Sequence, residues 1–180
     1  MGVIRPPRKV KLMCGMIGPD HDLMRRARKM MTRAFGETDL TSDVWPFDAT
    51  DYYETEMGSD LKRWFVSFEA LTSPDRIAEI KRTTMDLEAR LADDCLRPPD
   101  QRVVNLDPGY VGLSKLVLAT TKDHAHRIYI ERGIYAEVTL QFTKGRWVAW
   151  PWTYPDYAAE TYHPFFTEVR QRLVEQLTES

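Results

Sequence analysis

Between Asn105 and Arg127 the sequence concentrates groups that could bind or activate a small anion: Asn105, Asp107, Lys115, Lys122, His124, His126 and Arg127. Lysine and arginine clamp phosphate or carboxylate oxygens through charge-assisted hydrogen bonds, and a carboxamide adds a neutral donor. Asp107, with Glu137 further on, supplies carboxylates for acid/base work. The same stretch leads into strands of clear alternating pattern, and strand ends are where site residues are commonly displayed. Asp107-Pro108-Gly109-Tyr110 has the composition of a tight turn, which would carry Asp107 at its start.

Two further groups could do chemistry. Asp48 and Asp51 lie among Phe47, Tyr52 and Tyr53 and could hold a divalent cation with Asp107, although the spacing matches no EF-hand. His124 and His126 could face one side of a strand as a transition-metal pair, but no third ligand is fixed by spacing. The sequence has no G-x-x-x-x-G-K-[ST], G-x-G-x-x-G or H-E-x-x-H motif. Cys14 has no local signature that would activate it as a nucleophile.

The elements that must position these groups follow from periodicity. Val10 to Ile17 is an apolar run closed by Gly18-Pro19, a first strand. Leu23, Ala27, Met30, Met31, Ala34 and Phe35 recur at helical spacing before Gly36 and predict a helix over 20–35. Asp43 to Tyr53 is aromatic and extended, with Pro46 assigning it to an edge. Arg63 to Leu71 alternates, with Trp64, Val66 and Phe68 on one face and Phe65 and Ser67 on the other. Ser73-Pro74-Asp75 opens a second helix to about residue 94, with Ile77, Ile80, Thr84, Leu87 and Leu91 as its stripe. A strand begins at Val103, Gly112 to Thr121 suits strand or helix, and a helix over 160–178 ends the chain.

A β-meander lies between. If Glu131-Arg132-Gly133 forms a three-residue loop, Ile130 pairs with Ile134, Ile128 with Ala136 and His126 with Val138 on an apolar face. The other face opposes Tyr129 to Tyr135 and Arg127 to Glu137. A two-residue turn at Lys144-Gly145 pairs Phe142 with Trp147 and Leu140 with Ala149. One sheet face then collects Arg127, Tyr129, Tyr135, Glu137, Thr139, Trp150 and Trp152, a mixed aromatic and charged wall of the kind that faces ligands. The order strand, helix, strand, strand, helix, strand predicts a single α+β domain over 10–180, with residues 1–9 a flexible arm. Its core would be a ferredoxin-like (split βαβ) antiparallel sheet, extended by the C-terminal β-meander and terminal helix.

Composition bounds the function. Hydrophobic residues make up 43% and charged residues 29% of 180 positions, the profile of a soluble globular chain. A net charge of −2 gives no general attraction for nucleic acid or an anionic membrane, so neither is an expected partner. Arg25, Arg26, Arg28, Lys29 and Arg33 cluster at helical spacing and read as a solvated helix face. Nothing approaches the roughly 18 consecutive apolar residues of a membrane span. Two cysteines, Cys14 and Cys95, read as free thiols of a reducing compartment, which places the protein in the cytoplasm.

The runs FDATDYYETEMG (47–58), VNLDPGYVGLSKLVLATTKDHAHRIYI (104–130), GIYAEVTLQF (133–142) and PWTYPDY (151–157) resemble the family called domain of unknown function 4416. The resemblance covers nearly the whole chain and implies a single-domain bacterial cytoplasmic protein. That family has no established activity, so no catalytic residue is carried over. The residues by themselves lead to a binder of a small anionic ligand, a nucleotide or sugar phosphate, and leave open whether it acts on that ligand as an enzyme. Lys115, Lys122, His124 and Arg127 would hold the anion with Asn105. Asp107 and Glu137 would be the acid/base or cation-binding groups, and Tyr129, Tyr135, Trp150 or Trp152 the stacking wall. The rival expectation is a non-catalytic module whose aromatic sheet face binds another protein or makes a homo-oligomer.

Overall fold

The structure, a computed structural model, describes residues 2–98 and 101–179, without the side chains of Asp51 and Glu54. Its elements in chain order are β1 (Val10–Gly18), α1 (His21–Phe35), β2 (Thr38–Pro46), a 3-10 turn (Asp51–Tyr53), α2 (Glu54–Met57) and β3 (Lys62–Thr72). A 3-10 turn (Pro74–Arg76) leads into α3 (Ile77–Asp94), followed by β4 (Asn105–Val111), β5 (Lys115–Thr120), β6 (Ile128–Glu131), β7 (Ile134–Thr143) and β8 (Arg146–Ala149). Then come α4 (Pro155–Ala158), a 3-10 turn (Glu160–Tyr162) and α5 (His163–Glu179). Residues 2–9 are exposed and carry no regular secondary structure.

All eight strands join one antiparallel sheet in the order β2-β3-β1-β4-β5-β7-β6, with β8 sharing the outer edge of β7. The alternation of β1 and β3 sends side chains to two different cores. Leu12, Cys14, Met16, Trp64, Val66 and Phe68 meet α1 and α3 through Met24, Met31, Ile80, Leu87 and Leu91. Met13 and Phe65 face the other way, onto Tyr157, Tyr162, Phe165, Phe166 and Val169 of α5 and the segment before it. The sheet is therefore the middle of three layers, which is why its strands are apolar on both faces. Among the described residues no helix is long and apolar enough to cross a membrane.

Helix boundaries follow local chemistry. Asp20 caps α1 by accepting the Asp22 backbone N–H at 2.7 Å, and Gly36 ends it at φ 96°. The basic residues of α1 lie on its solvent side, with Arg28 partly covering the Trp64 ring. The stripe Ile77, Ile80, Thr84, Leu87 and Leu91 of α3 is buried. Ser73 opens that helix, but no side-chain capping bond forms. The extended segment expected over 43–53 is displaced: the edge strand is Thr38–Pro46, and Asp51–Met57 coils helically.

Two expectations about turns need correction. The Glu131-Arg132-Gly133 loop is shortened to Arg132-Gly133, with φ of 49° and 79°, and Glu131 pairs with Ile134. An irregularity between Tyr129 and Glu131 absorbs the odd residue, so Ile128 still opposes Ala136 and Tyr129 opposes Tyr135. The Lys144-Gly145 turn gives Phe142 opposite Trp147 and Leu140 opposite Ala149, as expected.

Asp107-Pro108-Gly109-Tyr110 is not a turn but the middle of β4. Gly109 serves close approach and not positive φ: a Cβ there would stand 2.4 Å from the Val117 carbonyl oxygen on β5. The proline marks where pairing with β5 stops. Gly109, Tyr110 and Val111 oppose Leu118, Val117 and Leu116, and Gly112 N–H reaches the Lys115 carbonyl. By the two-residue alternation of an antiparallel strand, Pro108 and Leu106 present their backbone to that same edge. Pro108 has no N–H to give. At Leu106 the role of β5 passes to α3: Leu106 N–H donates to Glu88 at 2.5 Å, and Lys81 Nζ donates to Leu106 O at 2.9 Å. Below Gly109 the strands β4 and β5 therefore part.

Candidate functional site

A cavity of about 440 Å³ occupies the opening left by β4 and β5. Its walls come from Asn105 and Asp107 of β4, Leu118 to Lys122 at the end of β5, Arg63 of β3 and Glu137 of β7. Phe47, Tyr52 and Tyr53 close one side, and Tyr154 to Tyr157 the other. The volume lies in the range of small-molecule sites, and the mixture of rings with a few convergent polar groups is typical of them.

Arg63 forms the buried charge centre. Its guanidinium donates to Asp156 at 2.6 Å and to Asp107 at 3.3 Å, and lies 5.0 Å from the Phe47 ring and 5.3 Å from Tyr157. Burial works against its charge, yet the carboxylates of Asp156 and Asp107 outweigh that, so its pKa is raised and it stays cationic. Gly15 on β1 makes room for the group: a Cβ there would meet Phe65 at 2.8 Å, Tyr157 Oη at 2.9 Å and Arg63 Nη1 at 3.0 Å.

The next group is built from both sides of β4. Arg102 is held by two bonds to Glu56, at 2.7 and 3.0 Å, and gives its Nη1 to Asn105 Oδ1 at 2.7 Å. The hydrogen bonds to Arg102 hold the Glu56 carboxyl below its ordinary range. With Asn105 Oδ1 committed to Arg102, the amide must turn its NH2 the other way. That Nδ2, Arg63 Nε and Tyr157 Oη are buried without a hydrogen-bond partner among the described residues, and all three residues line the cavity. Burial pushes the Tyr157 pKa well above its ordinary value, so the hydroxyl keeps its proton and can donate. Buried donors are nearly always paired, and leaving one unpaired costs about 1–3 kcal/mol. Three in one cavity can be met by acceptors that enter it, water or a ligand.

On the opposite wall, Arg127 Nε donates to Glu137 at 2.8 Å, Nη1 to the Lys122 carbonyl at 3.0 Å and Nη2 to Tyr154 Oη at 2.8 Å. Their side chains are only 3% and 2% exposed, so this is a buried pair and not the weak surface pair that strand register alone suggests. His126 Nε2 meets Glu137 Oε2 at 3.0 Å. Register had placed His126 on the apolar face opposite Val138. In fact β6 begins only at Ile128, so His126 precedes the ladder and turns to Glu137 instead. Outside the cavity His124, His126, Trp152 and Trp150 form a parallel series of rings, with neighbouring centroids 5.9, 5.4 and 5.3 Å apart.

The sequence-derived candidates thus divide. Asn105, Asp107, Lys122, Arg127 and Glu137 share the one cavity. Lys115 is exposed at the far end of β5, and His124, Tyr129, Tyr135, Trp150 and Trp152 are not among its lining residues. Lys115 was expected beside Lys122, but the intervening strand separates them. Trp150 and Trp152 stack on one another, and Trp152 donates to the Val138 carbonyl at 3.1 Å. Asp48 is exposed and does not line the cavity, while the Asp51 side chain lies outside the described residues. Among the described residues no group of three or more His, Cys, Asp or Glu could hold a metal ion.

Arg63, Lys81, Arg102, Asp156 and Tyr157 line the cavity without any sequence signal singling them out. One trace existed: Arg63 continues the face of Phe65 and Ser67, and a cation in such an alternation requires a buried partner. That partner, Asp156, lies in the aromatic run after the meander, which reads from sequence either as a surface to stack on a base or sugar ring or as an anchor for α5. It does anchor: Tyr157 stacks on Phe166 with centroids 5.8 Å apart.

The residues lining the cavity, except Arg63, Lys81 and Arg102, lie in the segments of the family resemblance. A family model described as a domain of unknown function, number 4416, matches residues 8–173. The chain belongs to that family. Within this domain-of-unknown-function 4416 protein the match runs from just before β1 into α5 and so includes every residue of the cavity. Neither a curated protein nor a solved structure matches the chain.

Proposed function

We propose that this protein binds a small anionic ligand, a nucleotide or sugar phosphate, in the cavity between β4 and β5, and acts on it as an enzyme. The observation that carries the reading is the set of three buried, partnerless donors on Arg63, Asn105 and Tyr157. Asp107 and Glu137 are the carboxylates placed for acid/base work or for a divalent cation carried in with the ligand. The strand order β2-β3-β1-β4, with α1 and α3 packed on one face, favours a ferredoxin-like core beneath the site. Two free cysteines, Cys14 buried, favour a reducing bacterial cytoplasm as its location.

A thermal-shift screen with nucleotides, sugar phosphates and divalent metals tests the reading. Stabilisation by a phosphorylated ligand, with the ligand-dependent increment lost in Arg127→Ala, is the expected result. No increment with any member of the set would remove this reading.

A second reading has its own observation. Ile128 and Tyr129 on the edge strand β6 are 70% and 57% exposed, beside the exposed Trp150 and Trp152. Such a patch suits pairing with another protein or a second copy. It predicts a molecular mass that rises with concentration, falls back in Trp150→Ala, and ignores small molecules.

A further inference from the structure

The cavity is electrically graded, and this orients whatever enters it. At its inner end the buried charges already balance: the cations Arg63 and Lys81 stand with the carboxylates Asp107 and Asp156, and Lys81 is held by the Leu106 carbonyl. A phosphate dianion would add two uncompensated charges to that buried, balanced set. The inner end nevertheless has Arg63 Nε, Asn105 Nδ2 and Tyr157 Oη as unsatisfied donors, among the rings of Phe47, Tyr53 and Tyr157. Donors in an aromatic, charge-balanced recess suit an uncharged planar group with acceptor atoms, such as a carbonyl oxygen or a ring nitrogen.

The cations of the lining fall into two kinds. Arg63 is engaged by Asp107 and Asp156, Lys81 by the Leu106 carbonyl, Arg102 by Glu56 and Asn105, and Arg127 by Glu137. Lys122 differs. It is exposed, its ammonium lies 4.2 Å from the centre of the Tyr52 ring, and among the described residues it makes no close ion pair, the Glu56 carboxylate held by Arg102 acting on it only from further off. A solvated lysine held in no close ion pair among the described residues is where an incoming phosphate would dock.

Building on the proposed function, we infer that the ligand is a nucleoside monophosphate or a close analogue, bound with its heterocyclic ring inside and its phosphate at the mouth on Lys122. The ring takes the three donors, and the phosphate never enters the carboxylate-lined end. The nucleoside part alone therefore carries much of the affinity, and the phosphate adds to it through a single exposed cation.

Titration calorimetry on the full chain tests this with the four common nucleoside monophosphates, their nucleosides, ribose 5-phosphate and inorganic phosphate. At least one nucleotide is expected to bind, with its nucleoside about tenfold weaker and with ribose 5-phosphate and inorganic phosphate weaker still. Lys122→Ala should bring the nucleotide down to the affinity of its nucleoside and leave the nucleoside unchanged. Tyr157→Phe should weaken nucleotide and nucleoside by the same factor. It should not destabilise the ligand-free protein, because the hydroxyl it removes has no partner there. Inorganic phosphate or ribose 5-phosphate binding as tightly as the nucleotide would overturn the orientation while leaving an anion site in place. So would a nucleoside indifferent to Tyr157→Phe. Absence of binding across the panel would overturn the orientation, and anion binding in the thermal-shift screen would then show whether the site itself survives.

Discussion

Arg63 and Asp156 form a buried ion pair at 2.6 Å, joining β3 to the segment that leads into α5. The same guanidinium reaches Asp107 at 3.3 Å, a carboxylate 24% exposed where Asp156 is 7% exposed. Arg63→Met would leave both carboxylates without their cation in a poorly hydrated place and should cost about 3–5 kcal/mol. Asp156→Asn should destabilise more than Asp107→Asn, since its bond is shorter and less screened. Urea denaturation of the three variants checks both the size and the ranking.

Glu88 makes stability depend on pH. Burial pushes its carboxyl up from 4.5 to about 7, against the opposing pull of Lys81 and the Leu106 N–H. The folded protein thus holds this proton to higher pH than the unfolded chain does. The resulting contribution is fully present below about 4.5 and is lost as pH rises through about 7, a change on the order of 3 kcal/mol. Glu88→Gln keeps an acceptor for Leu106 and should flatten this dependence, raising stability at pH 8. Urea midpoints at pH 5, 7 and 8 measure it, and a wild-type midpoint that holds steady from pH 5 to 8 would contradict the assignment.

Arg127 and Glu137 are a pair whose removal is not additive. Arg127→Met leaves Glu137 buried with His126 and should cost about 3 kcal/mol, whereas the double variant with Glu137→Met should recover most of that loss. A double-mutant cycle reads the coupling. Losses that simply add would mean the two side chains do not depend on one another.

Two glycines permit close approach, and they should differ in tolerance. A Cβ at Gly109 meets the backbone oxygen of Val117 at 2.4 Å, which can move only with its strand. A Cβ at Gly15 meets the side chains of Phe65, Tyr157 and Arg63. Gly109→Ala should therefore lower stability by upwards of 2 kcal/mol, and Gly15→Ala by less, about 1–2 kcal/mol. Gly15→Ala should also displace the Arg63 and Tyr157 donors. Melting curves rank the two variants, and ligand titration of Gly15→Ala separates its local effect from its global one.

What could be read from sequence was what local pattern controls. Arg127 does meet Glu137 in the cavity, as the alternation suggests, although the turn has two residues and not three and Arg127 lies just before the ladder. The helical stripes of α1 and α3 were equally legible. Asp107-Pro108-Gly109 was not, since its composition suits a turn while its partners on β1 and β5 make it a strand. Arg63 and Asp156 stand 93 residues apart, and nothing local to either announces the other. His126 was misplaced because strand alternation was extended past the point where the ladder begins.

Pro108 bears on how the recess could be lost. Two neighbouring antiparallel strands zip together wherever each can offer a hydrogen, and a sheet that zipped to its end would leave no room for a guest. Here the amide that would continue the seam is absent, and the next one along belongs to Glu88. The empty space is thus kept open by covalent structure and not by a bulky prop. A substitution of Pro108 by an ordinary residue would restore the missing hydrogen and invite β5 to close over the cavity.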